Sequence, residues 1–211
     1  MPSAAARRAY AGPPVFSFGF RPFFLGAAVW SALAVPLWLL VHLGAMEPGA
    51  LDRDWHVHEM LFGYVAAVAA GFLLTAVPNW TGRLPVTGPP LILLFGLWAA
   101  GRAAMLLVHQ MGPWAAALDA AFLVVFAGVV WREVLAGRNW RNLPVCALAS
   151  LMAFANIAFH MRGLAPQAGP IGERAALGAV AVMIALIGGR VTPSFTRNWI
   201  AQSRGAPEPA P

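Results

Sequence analysis

The apolar residues of this chain fall in long blocks, and that arrangement constrains its fold more than any motif does. Five or six blocks approach or exceed the roughly 18 to 20 apolar residues that cross the hydrocarbon of a bilayer. A large soluble core breaks instead into shorter segments, each with a polar face. Charged residues make up only 10% of the chain, against about 25% in a typical soluble domain, too few to cover a watery surface. The sequence therefore predicts an all-α polytopic transmembrane helix bundle whose first partner is the lipid bilayer. The spans read as roughly 22–43, 57–78, 90–109, 114–131, 143–160 and 173–191. Turn residues punctuate the joins at Pro48-Gly49, Gly88-Pro89-Pro90, Gly112-Pro113, Pro144 and between Pro166 and Pro170. Small residues four apart, such as Ala67 and Gly71 or Gly96 and Ala100, mark places where helices can approach closely.

The distribution of arginine gives the orientation. Arg supplies all the positive charge, since the chain has no Lys. With the N-terminus in the cytoplasm, ten arginines lie in inside segments, three (Arg53, Arg162, Arg174) lie outside, and Arg102 falls within a span. Cytoplasmic loops carry the excess of Lys and Arg, so both termini are expected inside. The expected organisation is a cytoplasmic N-terminal segment over 1–21, a six-helix transmembrane domain over 22–191 and a cytoplasmic tail over 192–211. A formal charge of +6 and a pI near 11.2 suggest nucleic acid in a soluble protein. Here the arginines are spread through the loops without a basic patch, so no nucleic-acid partner is expected. The single cysteine, Cys146, excludes an internal disulfide and any Cys-pair metal site.

All five histidines then fall at one face of the membrane. His42 closes the first span, His56 and His58 open the second, His109 closes the third, and His160 closes the fifth. A single interfacial histidine is ordinary, with its nitrogens solvated. The pair His56 and His58, flanked by Trp55, Glu59 and Met60, is a dense cluster of donor atoms at a helix start. Positions i and i+2 point to different sides of a helix, so the two rings serve different directions. Imidazole suits haem iron, copper and zinc, which makes His56, His58, His109 and His160 candidate ligands. Met60 joins them as a thioether of the kind that favours Cu(I).

Arg102 lies seven residues before His109, about 10 Å along the same helix face. A charge inside a span is costly and has to find a partner in the bundle. Asp119 in the next, antiparallel span is the obvious one, and a haem propionate is an alternative role for Arg102. Asn156, one turn before His160, is placed to orient that ring or to bridge helices. Other chemistry is absent. There is no Gly-rich phosphate loop and no Ser nucleophile elbow, and Phe62 stands where an H-E-x-x-H motif needs its second His.

Three stretches carry a family resemblance. They are Phe16-Ser17-Phe18-Gly19-Phe20-Arg21-Pro22-Phe23-Phe24, Trp55-His56-Val57-His58-Glu59-Met60-Leu61-Phe62-Gly63-Tyr64, and Gly188-Gly189-Arg190-Val191-Thr192-Pro193-Ser194-Phe195-Thr196-Arg197-Asn198-Trp199. With Ala76-Val77-Pro78-Asn79-Trp80-Thr81-Gly82, in this order over about 16–200, the chain resembles the NnrS family of bacterial membrane proteins. The resemblance implies a haem- and copper-containing inner-membrane protein linked to denitrification and to tolerance of nitric oxide, with nitric oxide as a ligand. It carries onto His56 and His58. Members of that family usually have about twice as many spans, so this chain looks like a first half, completed by a second six-helix half or by another copy of itself. Two other functions remain open on the residues alone. One is a transporter or channel with a polar pathway around Arg102 and Asp119. The other is an assembly subunit that docks through Pro193–Trp199.

Overall fold

The computed structural model describes Tyr10 and residues 12–204. Arg7, Arg8 and the Pro-rich end Ala206–Pro211 lie outside the described residues. Six helices are long and apolar enough to cross a membrane: α1 (Phe20–His42), α2 (Arg53–Thr81), α3 (Pro89–Leu106), α4 (Pro113–Ala136), α5 (Leu143–His160) and α6 (Ala168–Arg204). There is no strand among the described residues. The expected all-α bundle of six spans is what the chain folds into.

Short connections make neighbouring helices antiparallel, so the chain alternates between two ends of the bundle. One end carries the α1–α2, α3–α4 and α5–α6 loops and with them the histidines. There Arg162 pairs with Asp54 and donates to Glu173 at 2.8 Å, which ties the first of these loops to the last. The opposite end is held by Arg83 on Glu133 at 2.6 Å and by Arg190, which donates to Asn142 at 2.5 Å.

Burial ranks the helices. In α2, 56% of the most apolar window lies inside the bundle, against 17% in α1 and in α6. α2 is therefore the central post and the first and last helices are the rim. Small residues make this possible: Ala66, Ala67, Ala70 and Gly71 of α2 are all buried, and the ring of Phe24 and the Cβ of Phe23 in α1 pack onto Gly71. The Ala67–Gly71 spacing is thus used for close approach, whereas Gly96 has no neighbour within 4 Å of where a Cβ would be.

Several boundaries differ from the sequence expectation for local reasons. α2 begins at Arg53 rather than near 57, because the Asp52 carboxylate accepts from the Trp55 amide at 2.7 Å and caps the helix. His56 and His58 therefore sit within α2 and not ahead of it. α3 ends at Leu106, since Leu107 leaves helical geometry at φ −106°, ψ 23°. A one-turn helix, Val108–Met111, follows, and Gly112 at φ +54° turns the chain into Pro113. α6 runs on past 191 to Arg204, through Pro193. A proline removes one backbone donor, which a membrane helix tolerates, so the Pro193–Trp199 block is helical and continuous with the sixth span.

α5 and α6 pack backbone to backbone at Gly172, where a Cβ would lie 2.5 Å from the Ala155 carbonyl and 2.7 Å from the Phe159 amide nitrogen. Both neighbours are backbone and cannot rotate away. Gly172→Leu is expected to force α6 off α5, at a cost of about 1–3 kcal/mol. The check is a clear drop in melting temperature of the detergent-purified protein beside Gly96→Leu, which should change little.

Candidate metal centre

A seven-residue π-helical stretch, Glu59–Val65, interrupts α2 directly after its first six residues, Arg53–His58. Such widened turns are rare and concentrate at functional sites. The stretch is pinned where Trp98 of α3 donates its indole N–H to the Gly63 carbonyl at 3.0 Å. Where it begins, the adjacent residues His58 and Glu59 both point into the bundle and are fully buried. They reach different helices: His58 turns toward α4 and α5, and Glu59 toward α3.

The contacts converge on Asp119 of α4. Its Oδ2 lies 3.0 Å from His58 Nε2 and 2.8 Å from His160 Nε2, and accepts from Asn156 Nδ2 at 2.9 Å. Arg102 bridges the two carboxylates, donating through Nη2 to Asp119 Oδ1 and through Nη1 to Glu59 Oε2 at 2.6 Å. Glu59 Oε1 in turn lies 2.9 Å from His58 Nδ1. Phe62 and Phe159 close over the His58 ring at 5.2 and 5.1 Å, with His160 at 4.9 Å. Arg102, Glu59, Asp119, His58 and Asn156 are all buried, and only His160 reaches outward, with 13% of its side chain exposed. Space for the Arg102–Glu59 pair comes from Gly63, where a Cβ would lie 2.7 Å from Arg102 Nη1 and from Glu59 Oε2.

This arrangement is short of positive charge. Two carboxylates, Glu59 and Asp119, face one guanidinium, so neutral imidazoles leave a formal charge of −1 in a dry site. The His58 ring makes the deficit explicit. Each of its nitrogens faces a carboxylate oxygen, and Nε2 also faces Asn156 Oδ1 at 3.3 Å. A neutral imidazole carries one N–H, so one contact sets lone pair against lone pair. A second proton or a metal ion between Nε2 and Asp119 resolves it.

Ligand atoms of His58, Asp119 and His160 all lie within 4.8 Å of one another, so the three can hold a metal ion. The separations of 2.8 and 3.0 Å approach the roughly 3.0–3.4 Å between adjacent donors on an ion bound at about 2.1 Å. Two imidazoles and one carboxylate suit Cu(II), zinc or iron better than they suit the Cu(I) that thioethers favour. Glu59 on Nδ1 fixes the His58 ring as the carboxylate behind a ligating histidine does.

The other candidate residues lie apart from this group. His56 stacks on Trp38 of α1 at 4.0 Å, as does His42 at 4.8 Å. With Arg53 these rings line a separate cavity of about 550 Å³. His109 is exposed on the one-turn helix after α3, because the break at Leu107 removes it from the face that carries Arg102. Met60 packs against the apolar core. The expected Arg102–Asp119 pair is present. Asn156 bridges to His58 and Asp119 and does not hold the His160 ring. Sequence reasoning treated Asp119 only as the partner of Arg102, although it is a lone acid in an apolar run, and named Glu59 only as a neighbour of the histidine pair.

In comparisons with known proteins, the family described as NnrS protein matches residues 14–211. No curated protein and no solved structure matches the chain.

Removing Asp119 strips Arg102 and both imidazoles of their shared carboxylate. Asp119→Ala is expected to cost about 3–5 kcal/mol, because it leaves several buried donors, on Arg102, Asn156 and the imidazoles, without their common acceptor. Asn156→Ala, which removes a single one of the donors to that carboxylate, should cost about 1–3 kcal/mol. Reversible unfolding of the two variants in mixed micelles checks that order.

Proposed function

The chain belongs to the NnrS family, and on that premise we propose a haem- and copper-binding protein of the bacterial inner membrane. Its role is in the nitric oxide response or in denitrification, and its metal site faces the periplasm. The observation that carries this reading is the His58 ring held between two carboxylates, with His160 on the same Asp119 oxygen, a contact that a metal ion at Nε2 satisfies as a second proton does. In this reading copper takes His58, Asp119 and His160. Bound there, it supplies one-electron redox chemistry and a coordination position for nitric oxide.

The chain's own groups prepare that position. Glu59 accepts the Nδ1 proton of His58, which leaves the Nε2 lone pair for a ligand bond. Arg102 offsets the charge of Glu59 and orients Asp119. Phe62 and Phe159 exclude water from one side, and His160 is the connection to the outer end.

Haem does not fit at that centre, because aromatic rings already cover His58. For haem the chain offers His56, whose buried Nδ1 beside the Trp38 cavity has no hydrogen-bond partner.

Protein purified from cells supplied with copper and haem is the test, by metal analysis and a reduced-minus-oxidised spectrum on one sample. His58→Ala and His160→Ala should each lose copper, His56→Ala should lose the haem signal, and His109→Ala should keep both. A wild-type protein holding neither group overturns the reading.

A transporter function draws on the same buried Arg102–Asp119 pair. Flux in proteoliposomes that disappears in Arg102→Ala, with metal content unchanged, would favour it.

A further inference from the structure

At the end of the bundle away from the histidines, positive charge exceeds its partners. Among the described residues this end holds one acid, Glu133, and Arg83 and Arg132 already pair with it. Three other arginines, Arg141 just before α5 and Arg190 and Arg197 of α6, pair with no carboxylate among the described residues. All three line one cavity of about 370 Å³, whose mostly polar wall is completed by Trp80, Asn139 and Asn142. Guanidiniums gathered around one hollow repel one another, and an anion between them turns that repulsion into attraction.

The hollow is held in shape by neutral contacts. Arg190 donates through Nη1 to Asn142 Oδ1 at 2.5 Å and through Nη2 to the Arg141 carbonyl at 3.1 Å. Its guanidinium lies 5.8 Å from the centre of the Trp80 ring. Asn142 is only 3% exposed, so the acceptor that it offers is fixed. Asn139 donates to the Trp80 carbonyl at 2.5 Å, which ties the end of α2 to the α4–α5 loop. These partners orient Arg190 without neutralising it. A guanidinium carries five N–H donors, so the charge and further donors remain for a ligand. Arg141 and Arg197 are exposed at the rim, whereas Arg190 is half-buried.

Depth in the bilayer sets the class of anion. The apolar block of α6 stops at Ile187, and Gly188-Gly189-Arg190 follows, so Arg190 stands at the edge of the hydrocarbon. Trp80 and the exposed Trp140 lie at the same end, and tryptophan settles at headgroup level. The anions met at that depth are phosphates, carried by lipid headgroups or arriving from water. A phosphate presents oxygens in several directions and accepts from more than one guanidinium. We propose that this cavity is a binding site for the phosphate group of a net-anionic ligand, with Arg141, Arg190 and Arg197 as its donors. A zwitterionic headgroup is disfavoured, because it brings its own cation to three arginines.

The test uses the full chain, delipidated in detergent at low ionic strength. Dioleoylphosphatidylglycerol and dioleoylphosphatidylcholine are titrated by native mass spectrometry, and inorganic phosphate by calorimetry. One phosphatidylglycerol should bind at least tenfold more tightly than phosphatidylcholine. Arg141→Gln and Arg197→Gln should each weaken that binding about tenfold, with the melting temperature of the lipid-free protein unchanged. Arg138→Gln removes the same charge from the same loop at an exposed position outside the cavity, and should leave binding intact. Phosphatidylglycerol that inorganic phosphate does not displace identifies a lipid as the source of the phosphate. Saturable binding of inorganic phosphate with the same pattern among the variants identifies a soluble ligand instead. The proposal is overturned if Arg138→Gln weakens binding as much as the other two variants, or if Arg141→Gln and Arg197→Gln leave it unaltered. It is equally overturned if phosphatidylglycerol binds no better than phosphatidylcholine and inorganic phosphate does not bind.

Discussion

A carboxylate cannot sit in hydrocarbon without partners, and the interior of this bundle is arranged around meeting that condition for Asp119. Its two oxygens take contacts from Arg102 of α3, His58 of α2, and Asn156 and His160 of α5. Four of the six membrane helices are thereby tied to one side chain. In water each contact would contribute little. In a dry bundle the alternative to pairing is an isolated charge, so the helices are held in register by a polar knot more specific than apolar packing alone.

The knot depends on α2 presenting consecutive residues in two directions. His58 and Glu59 are neighbours in sequence, yet one reaches α4 and α5 while the other reaches α3. The π-helical stretch beginning at Glu59 alters the local register of the helix, and Gly63 leaves the space into which Arg102 and Glu59 fit. α2 is also the most enclosed span, so the irregular backbone is surrounded by protein. That is the setting in which a membrane helix tolerates one.

The histidines divide into separate environments as a result. His58 and His160 are locked into the knot, His42 and His56 stack against Trp38 beside a cavity, and His109 stands exposed. Shared depth in the membrane, which is all that their positions at span ends express, does not make them one site. What separates them is the direction of each side chain around its helix, together with the break at Leu107 that turns His109 away.

Membrane class, the number of spans and the clustering of histidines at one end were legible in the sequence, because hydrocarbon thickness and the cost of exposed backbone leave a long apolar block few alternatives. The Arg102–Asp119 pair was legible too, since charges at matched depth in adjacent spans have to meet. The part of Glu59, the π-helical stretch and the separation of His56 from His58 were decided only by tertiary structure. Each depends on how far one helix is rotated against its neighbours, and an almost uniformly apolar helix has no polar face from which that rotation can be read.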